Sequence, residues 1–338
     1  MSIFNHKEIV VASLGCPAIL PRALLQPARE VEGVRIGGLA NRTVSKAKAL
    51  AEEYGIAKVY DNFEQLVHDP EVHLVYIALS NELHEEWTVR AAKAGKAVLV
   101  EKPICSNLTE WERIERAAEE ADVQIWEGLM VQHHPWQHTL RSMIEDGRYG
   151  RLLKTETRIS FTPKDNFRGN YRSNPTKGGG VFRDLGCYWL QFIQAIHGLE
   201  GGRFSGQSDF AGPNGCDWTF HAKAAFPDGL KSTFIGSFEM PYKSKHVCHF
   251  EQATVTLGDF FRANVGHYKI RLTIEWLDGG HREHIEFDPM NYYTNQLRAI
   301  RDALRQGKPS EPFNQVKERI VIADTIYQSA LQDISRRA

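Results

Sequence analysis

The sequence is short of the residues that mark a secreted, zinc-stapled or membrane-spanning protein. Its five cysteines, Cys16, Cys105, Cys187, Cys216 and Cys248, are odd in number, far apart and form no C-x-x-C pair. That argues against a disulfide framework and a structural zinc site, and suits a reducing cytosol. No apolar run approaches the ~20 residues a membrane span needs. Opposite charges nearly cancel, 41 Lys and Arg against 42 Asp and Glu, so no global field favours nucleic acid or a membrane surface. The opening Met1-Ser2-Ile3-Phe4-Asn5-His6-Lys7 lacks the charged-then-apolar order of a signal peptide, and a cytoplasmic location is expected. Internal repeats and low-complexity tracts are missing as well.

What is present is the composition of a soluble globular protein, 42% hydrophobic and 25% charged over 338 residues, enough for two cores. The first third alternates buried strands with helices. Ile9–Leu14, Val34–Ala40, Leu74–Leu79 and Ala97–Val100 read as strands. Arg22–Val31, Thr43–Tyr54 and Glu85–Ala94 read as helices, and Asn107-x-x-Glu110 reads as a capping box. This order predicts a doubly wound parallel α/β sheet. After about residue 125 the pattern changes to alternating strands, Leu152–Phe161, Thr219–Phe226, Leu230–Phe238, Val265–Leu277 and His284–Phe287. An apolar helix at Leu185–His197 interrupts them, and helices at Tyr292–Gln306 and Val316–Ser335 close the chain. The expected division is residues 1–125 and 126–338, the second an α+β domain on a large, mainly antiparallel open sheet. Phe250, Phe260 and Phe261 suit a sheet face buried either at a subunit contact or under helices of the same chain.

The turn after the first strand, Gly15-Cys16-Pro17-Ala18-Ile19-Leu20, keeps only the first glycine of a G-x-G-x-x-G/A dinucleotide fingerprint. Pro17 has no N–H to offer a phosphate, and Leu20 stands where a small residue lets helix and strand approach. Position, not motif, makes Gly15, Cys16, Ala18 and Ile19 cofactor candidates. At the end of the second strand an Asp or Glu would bond a ribose 2′-OH. Asn41-Arg42-Thr43 stands there instead, with Ser45 and Lys46 close behind. A guanidinium suits a 2′-phosphate, which favours NADP(H) over NAD(H). Ser80, Asn81 and His84 follow the third strand and face the ribose or nicotinamide side of the same cofactor, although Asn81 also suits a helix cap.

The chemistry is carried by Glu101-Lys102-Pro103 and by Gly178-Gly179-Gly180-x-x-x-Asp184-x-x-x-Tyr188. A lysine at the carboxyl end of a parallel strand points into the crevice where such sheets bind ligands. Asp184 and Tyr188 share one helix face. Lys102, Tyr188 and Asp184 together can move a proton to or from a sugar-like oxygen, the part of a hydride-transfer reaction a cofactor leaves to its protein. Arg168, Asn170, Tyr171 and Arg172 are polar substrate-contact candidates. His133-His134 has no third ligand at zinc-like spacing, so no metal is expected and His134 is assigned to substrate.

With these motifs assembled, the chain resembles the glucose–fructose oxidoreductase/inositol dehydrogenase/rhizopine-catabolism (Gfo/Idh/MocA) family. The resemblance extends to Asp69-Pro70-Glu71-Val72, Val75-Tyr76-Ile77-Ala78, His84-x-x-Trp87, Ala94-Gly95-Lys96 and Tyr327-Gln328-Ser329-Ala330. Within the family it is similar to NADP-dependent sugar 3-ketoreductases and to dihydrodiol and xylose dehydrogenases. It implies an N-terminal Rossmann domain and a C-terminal sheet domain that joins homodimers or homotetramers. It also implies Lys102 and Tyr188 flanking the reacting oxygen, Glu101 in the cofactor site, a Lys102–Pro103 bond that is often cis, and a sugar-like substrate. Tyr188 stands where inositol dehydrogenases have His. Arg183 replaces a usually apolar residue and is a candidate for a substrate phosphate or carboxylate. Two other classes stay open: a redox-neutral enzyme with a tightly held cofactor, and a binding homologue without catalysis.

Overall fold

The computed structural model describes residues 8–307 and 313–337. The opening segment read above for a signal peptide lies outside the described residues. The chain forms two compact units, one of residues up to Met130 together with Asn291–Lys317, the other of Val131–Met290 with Glu318–Ala338. This differs from the division at 125/126 read from the sequence, because a late segment belongs with the first unit.

The first unit is a six-stranded parallel sheet. Its strands are β1 (Ile9–Leu14), β2 (Val34–Ala40), β3 (Val59–Tyr60), β4 (Leu74–Ile77), β5 (Ala97–Val100) and β6 (Ile125–Glu127), in the order β3-β2-β1-β4-β5-β6. That is the Rossmann order, with its reversal between β1 and β4. β1, β4 and β5 are buried at every residue, as parallel strands covered on both faces must be. The connecting helices are α1 (Gln26–Glu30), α2 (Val44–Tyr54), α3 (Phe63–Val67), α4 (His84–Lys93) and α5 (Leu108–Ala121). A π-helical turn, Pro21–Leu25, leads into α1, with Gln26 N–H donating to Pro21 O. At α5 the capping box forms: Glu110 N–H donates to Asn107 Oδ1 at 2.9 Å, and the Glu110 carboxylate accepts from Ser106 N–H at 2.7 Å.

The second unit opens with α6 (Trp136–Glu145). Its strands are β7 (Leu152–Ser160), β8 (Arg203–Gln207), β9 (Thr219–Ala225), β10 (Lys231–Ser237), β11 (Lys243–Phe250), β12 (Ala253–Gly258), β13 (Ile270–Trp276) and β14 (Arg282–Phe287). They form one eight-stranded sheet in the order β14-β13-β12-β11-β7-β10-β9-β8, antiparallel except between β7 and β10. Helix α7 (Val181–Ile196) packs on β9 and β10. The strands alternate: in β9, Phe220, Ala222 and Ala224 are buried and His221 and Lys223 exposed. Phe250 and Phe260 are buried inside this unit, against Tyr149 and His246, so the same chain covers them. The last helices are α8 (Tyr292–Gln306) and α9 (Phe313–Arg337). No described helix is long and apolar enough to cross a membrane.

Candidate functional site

In the first unit the candidate residues stand at the carboxyl ends of β1, β2, β4 and β5. Gly15 has φ +95°, and its N–H donates to Ala40 O at 2.8 Å. A Cβ there would stand 2.4 Å from the Ala78 carbonyl oxygen, so the turn passes between β2 and β4 only as glycine. Cys16 and Asn41 are brought together, Cys16 N–H donating to Asn41 Oδ1 at 3.2 Å. With that donor engaged and Pro17 having none, the turn presents the N–H groups of Ala18 and Ile19, which have no partner among the described residues. Burial pushes the Cys16 thiol up to about 11, so it is no nucleophile at neutral pH. Leu20 is fully buried. Arg42, Thr43, Ser45 and Lys46 are all exposed, and Thr43 caps α2 with no side-chain bond. An uncapped helix start beside two cations is a ready anion site.

The Glu101-Lys102-Pro103 loop is fixed from three sides. The Glu101 carboxylate accepts from the Tyr76 hydroxyl. The Pro103 carbonyl faces His84 Nδ1 at 2.8 Å. Ile104 N–H donates to Glu127 Oε1 at 3.1 Å. The Lys102–Pro103 peptide is cis. His84, expected among the cofactor contacts, is fully buried, with its other ring nitrogen 3.2 Å from Leu79 O. Burial foremost lowers its basicity, and it acts as a brace between two loops. Asn81 opens the 3-10 turn Asn81–Leu83, and Ser80 takes the cap position. Glu127 carried no signal in the sequence.

Other motifs that carried the resemblance build the opposite end of this sheet. Lys96, buried, donates to Asp69 O at 2.6 Å and Val72 O at 2.8 Å. The Asp69 carboxylate accepts from Tyr60 Oη at 2.7 Å and Glu71 N–H at 2.8 Å, and pairs with Lys58. These contacts tie the segments that precede β4 and β5, and their role is architectural.

In the second unit α7 presents Asp184 and Tyr188, both buried. Arg172 grips the Asp184 carboxylate with two prongs, Nε to Oδ2 at 2.9 Å and an NH2 to Oδ1 at 3.1 Å. Burial opposes the Arg172 charge, but Asp184 outweighs it and holds the guanidinium above its ordinary pKa. The guanidinium also lies over the rings of Tyr171 and Phe167, at 4.7 and 5.2 Å. Tyr188 meets Phe261 edge-on at 4.9 Å. Arg183 turns elsewhere and stacks on Tyr327 at 4.4 Å, while Arg168 is exposed. His134 is 1% exposed; Trp136 N–H points at its Nδ1 from 3.3 Å, and burial lowers its pKa to about 4. It is neutral at physiological pH.

The start of α7 is held by a residue that no sequence motif marks. Asp217 Oδ2 accepts from Phe182 N–H at 2.7 Å, and Val181 N–H donates to Asp217 O at 2.9 Å. Tyr327 Oη donates to Asp217 Oδ1 at 3.4 Å. Burial first of all raises the Asp217 carboxyl to about 7, against the opposing pull of the Phe182 N–H and Arg183. The glycine run is what lets this carboxylate approach. Gly180 has φ +105°, and a Cβ on it would stand 1.9 Å from Asp217 Oδ1.

Comparison with known proteins agrees with this architecture. Residues 9–129 match the model of the oxidoreductase family with an NAD-binding Rossmann fold, and residues 137–257 match the model of the GFO/IDH/MocA C-terminal domain. The chain belongs to the Gfo/Idh/MocA family of oxidoreductases. Among its relatives, the dTDP-3,4-didehydro-2,6-dideoxy-α-D-glucose 3-reductase of Actinomadura kijaniata is 32% identical over 58% of each chain. D-xylose 1-dehydrogenase (NADP(+)) 2 of Haloferax volcanii is 24% identical over 94% of this chain and 95% of its own. The crystal structure of the A. kijaniata 3-ketoreductase KijD10 with NADP and TDP-benzene superposes with a TM-score of 0.87 at 22% identity, covering 95% of this chain and 98% of that one. At that identity the likeness speaks for the fold.

Proposed function

We propose that this Gfo/Idh/MocA oxidoreductase uses NADP(H) to interconvert a carbonyl and a secondary alcohol on a sugar or sugar-like ring, with nucleotide-linked keto-sugars the first class to test. The observation that carries the reading is Tyr188 on a helix face with Asp184, whose carboxylate is locked by Arg172. Such a pair gives a proton donor a fixed orientation. The residues present suit the cofactor: the N–H groups of Ala18 and Ile19 for a pyrophosphate, and Arg42 with Ser45 and Lys46 for a 2′-phosphate. The D-xylose dehydrogenase relative is named for NADP(+), and the ketoreductase of like fold was crystallised with NADP and a TDP-linked ligand.

When bound, the nicotinamide supplies or accepts the hydride. Tyr188 gives its phenolic proton to the substrate oxygen in reduction and recovers it in oxidation. Lys102, set in place by the bonds to Glu101, Pro103 and Ile104, offers positive charge to the developing alkoxide. Asp184 holds the polar surroundings of Tyr188, and Tyr171 and Arg172 suit a hydroxyl-rich or phosphorylated ligand. Self-association through the eight-stranded sheet belongs to the same reading and rests on the family resemblance; sedimentation velocity tests it.

The deciding experiment has two steps. Titration with NADPH and NADH, followed by nicotinamide fluorescence, should show selective NADPH binding. Keto-sugars, free and nucleotide-linked, are then screened for NADPH oxidation with wild type and Tyr188→Phe. The variant should bind NADPH normally and turn over ~10²–10⁴ more slowly. Equal turnover by the two proteins removes Tyr188 from the mechanism, and failure to bind either nucleotide removes the cofactor reading.

A further inference from the structure

Helix α8 lies more than a hundred and fifty residues beyond the parallel sheet in sequence, yet it packs on the π turn Pro21–Leu25 and on α1, the helix that follows the Gly15 turn. Two bonds fix it there: Thr294 Oγ1 donates to Glu30 Oε2 at 2.8 Å, and Arg301 donates to Glu32 O at 3.0 Å. Next to the first of these stands Tyr293, in the first turn of α8, its own N–H donating to the cap Asn291 Oδ1 at 2.9 Å. The Tyr293 side chain is 6% exposed. Its hydroxyl has no hydrogen-bond partner among the described residues, yet it is not sealed from solvent. The small exposed part of this residue therefore includes its oxygen. A tyrosine hydroxyl kept unbonded at the edge of a core is uncommon, because most such groups find a partner.

Three charged groups lie near its hydroxyl. Glu101, Arg22 and Lys102 all act on the Tyr293 hydroxyl; burial first, then Glu101, raise its pKa well above the ordinary tyrosine value. It is a protonated donor at every physiological pH. Arg22 stands just past the turn suited to a pyrophosphate, and Glu101 and Lys102 close β5, where the reacting end of a dinucleotide belongs. Between a pyrophosphate and a reacting nicotinamide lies one ribose, joined to the nearer phosphate of that pyrophosphate. We propose that Tyr293 is a cofactor-binding residue whose hydroxyl donates to the ribose–phosphate of the nicotinamide half. This rests on the dinucleotide reading above and adds to the site a segment outside the Rossmann βαβ series.

The test is Tyr293→Phe, which keeps the buried ring and removes only the oxygen. Affinities are measured by calorimetry for NADPH and for adenosine 2′,5′-bisphosphate, which spans only the adenosine half. NADPH should bind ~3- to 10-fold more weakly, the value of one hydrogen bond, and the bisphosphate should bind as before. The melting temperature of the ligand-free protein should not fall, because no protein bond is lost. Unchanged NADPH affinity overturns the proposal. So does equal weakening of both ligands, or a lowered melting temperature, since either marks a structural role. If the wild type itself binds no NADPH, the dinucleotide reading has failed and Tyr293 falls with it. If the wild type binds and only the variant's expected loss is missing, Tyr293 alone is wrong.

Discussion

Arg172 and Asp184 form a two-pronged ion pair at 2.9 and 3.1 Å, with the carboxylate side chain 6% exposed and the guanidinium 25%. A lysine carries the same charge but cannot present two parallel donors. Arg172→Lys should leave one Asp184 oxygen short of its partner. A hydrogen bond to a charged group contributes ~1.5–3 kcal/mol, and the lower half of that range fits a partner that is partly open to water. Urea unfolding of the variant measures it. Turnover should fall more than NADPH affinity, because Asp184 and Tyr188 share a helix face. A variant with wild-type stability and turnover would show the pair to be idle.

Gly180 and Asp217 make a second, tighter constraint. Gly180→Ala meets two obstacles, a left-handed φ of +105° and a carboxylate oxygen 1.9 Å from the new Cβ. Positive φ alone costs a non-glycine residue ~1–2 kcal/mol. Gly215, with φ +81° and nothing within 4 Å of its Cβ position, isolates that conformational cost. Gly180→Ala should therefore lose clearly more stability than Gly215→Ala. Equal losses by chemical denaturation would mean that Asp217 moves aside freely.

Asp217 should also make stability depend on pH. Its folded carboxyl is raised to about 7, well above the ordinary aspartate range, chiefly by burial. The folded state then holds a proton that the unfolded state has released. Stability is full below the unfolded pKa and falls as pH rises, at up to ~1.4 kcal/mol per pH unit, flattening above the folded value. The window is about pH 4 to about pH 7. Asp217→Asn removes that slope while keeping an oxygen to accept from Phe182 N–H. Parallel stability-versus-pH curves for the two proteins would contradict this account.

The parts of the molecule that were legible in the sequence share a cause. β1, β4 and β5 are buried on both faces, so Val, Ile, Leu and Ala dominate them, with only Ser13 and Tyr76 between, and the strands announce themselves. β11 does not: its inward row includes Ser244 and His246, and the sequence reads as polar. His246 is a core residue all the same. Thr157 bonds its ring at 2.8 Å, Phe192 and Phe260 stack on it at 3.9 and 4.4 Å, and burial lowers its pKa to about 3. At the site, Lys102, Asp184 and Tyr188 stood out because their motifs are local. Asp217, Glu127 and Tyr293 did not, since each acts on a segment far from it in sequence. The triple glycine opens the motif that carries Asp184 and Tyr188. Its physical cause is steric, the approach of the Asp217 carboxylate at Gly180 and of three carbonyl oxygens, each 2.6 Å from a Cβ on Gly179.

Cofactor choice gives the last prediction. Arg42 is exposed at the uncapped start of α2 with Ser45 and Lys46 exposed beside it, and no acidic residue stands at the end of β2 to receive a ribose 2′-OH. A cofactor carrying a 2′-phosphate would meet the guanidinium there by charge as well as by hydrogen bond. Arg42→Ala should weaken NADPH binding by ~10- to 100-fold, the value of a charge-assisted hydrogen bond, and leave NADH binding nearly untouched. Exposure adds a second signature, because the pair is screened by salt. The gap between wild type and variant should narrow as ionic strength rises from about 0.01 to about 0.5 M. Fluorescence titrations at both salt concentrations measure each effect. Equal weakening of NADPH and NADH would place Arg42 in the fold of the α2 start and not on the phosphate, and a gap insensitive to salt would argue for a desolvated contact.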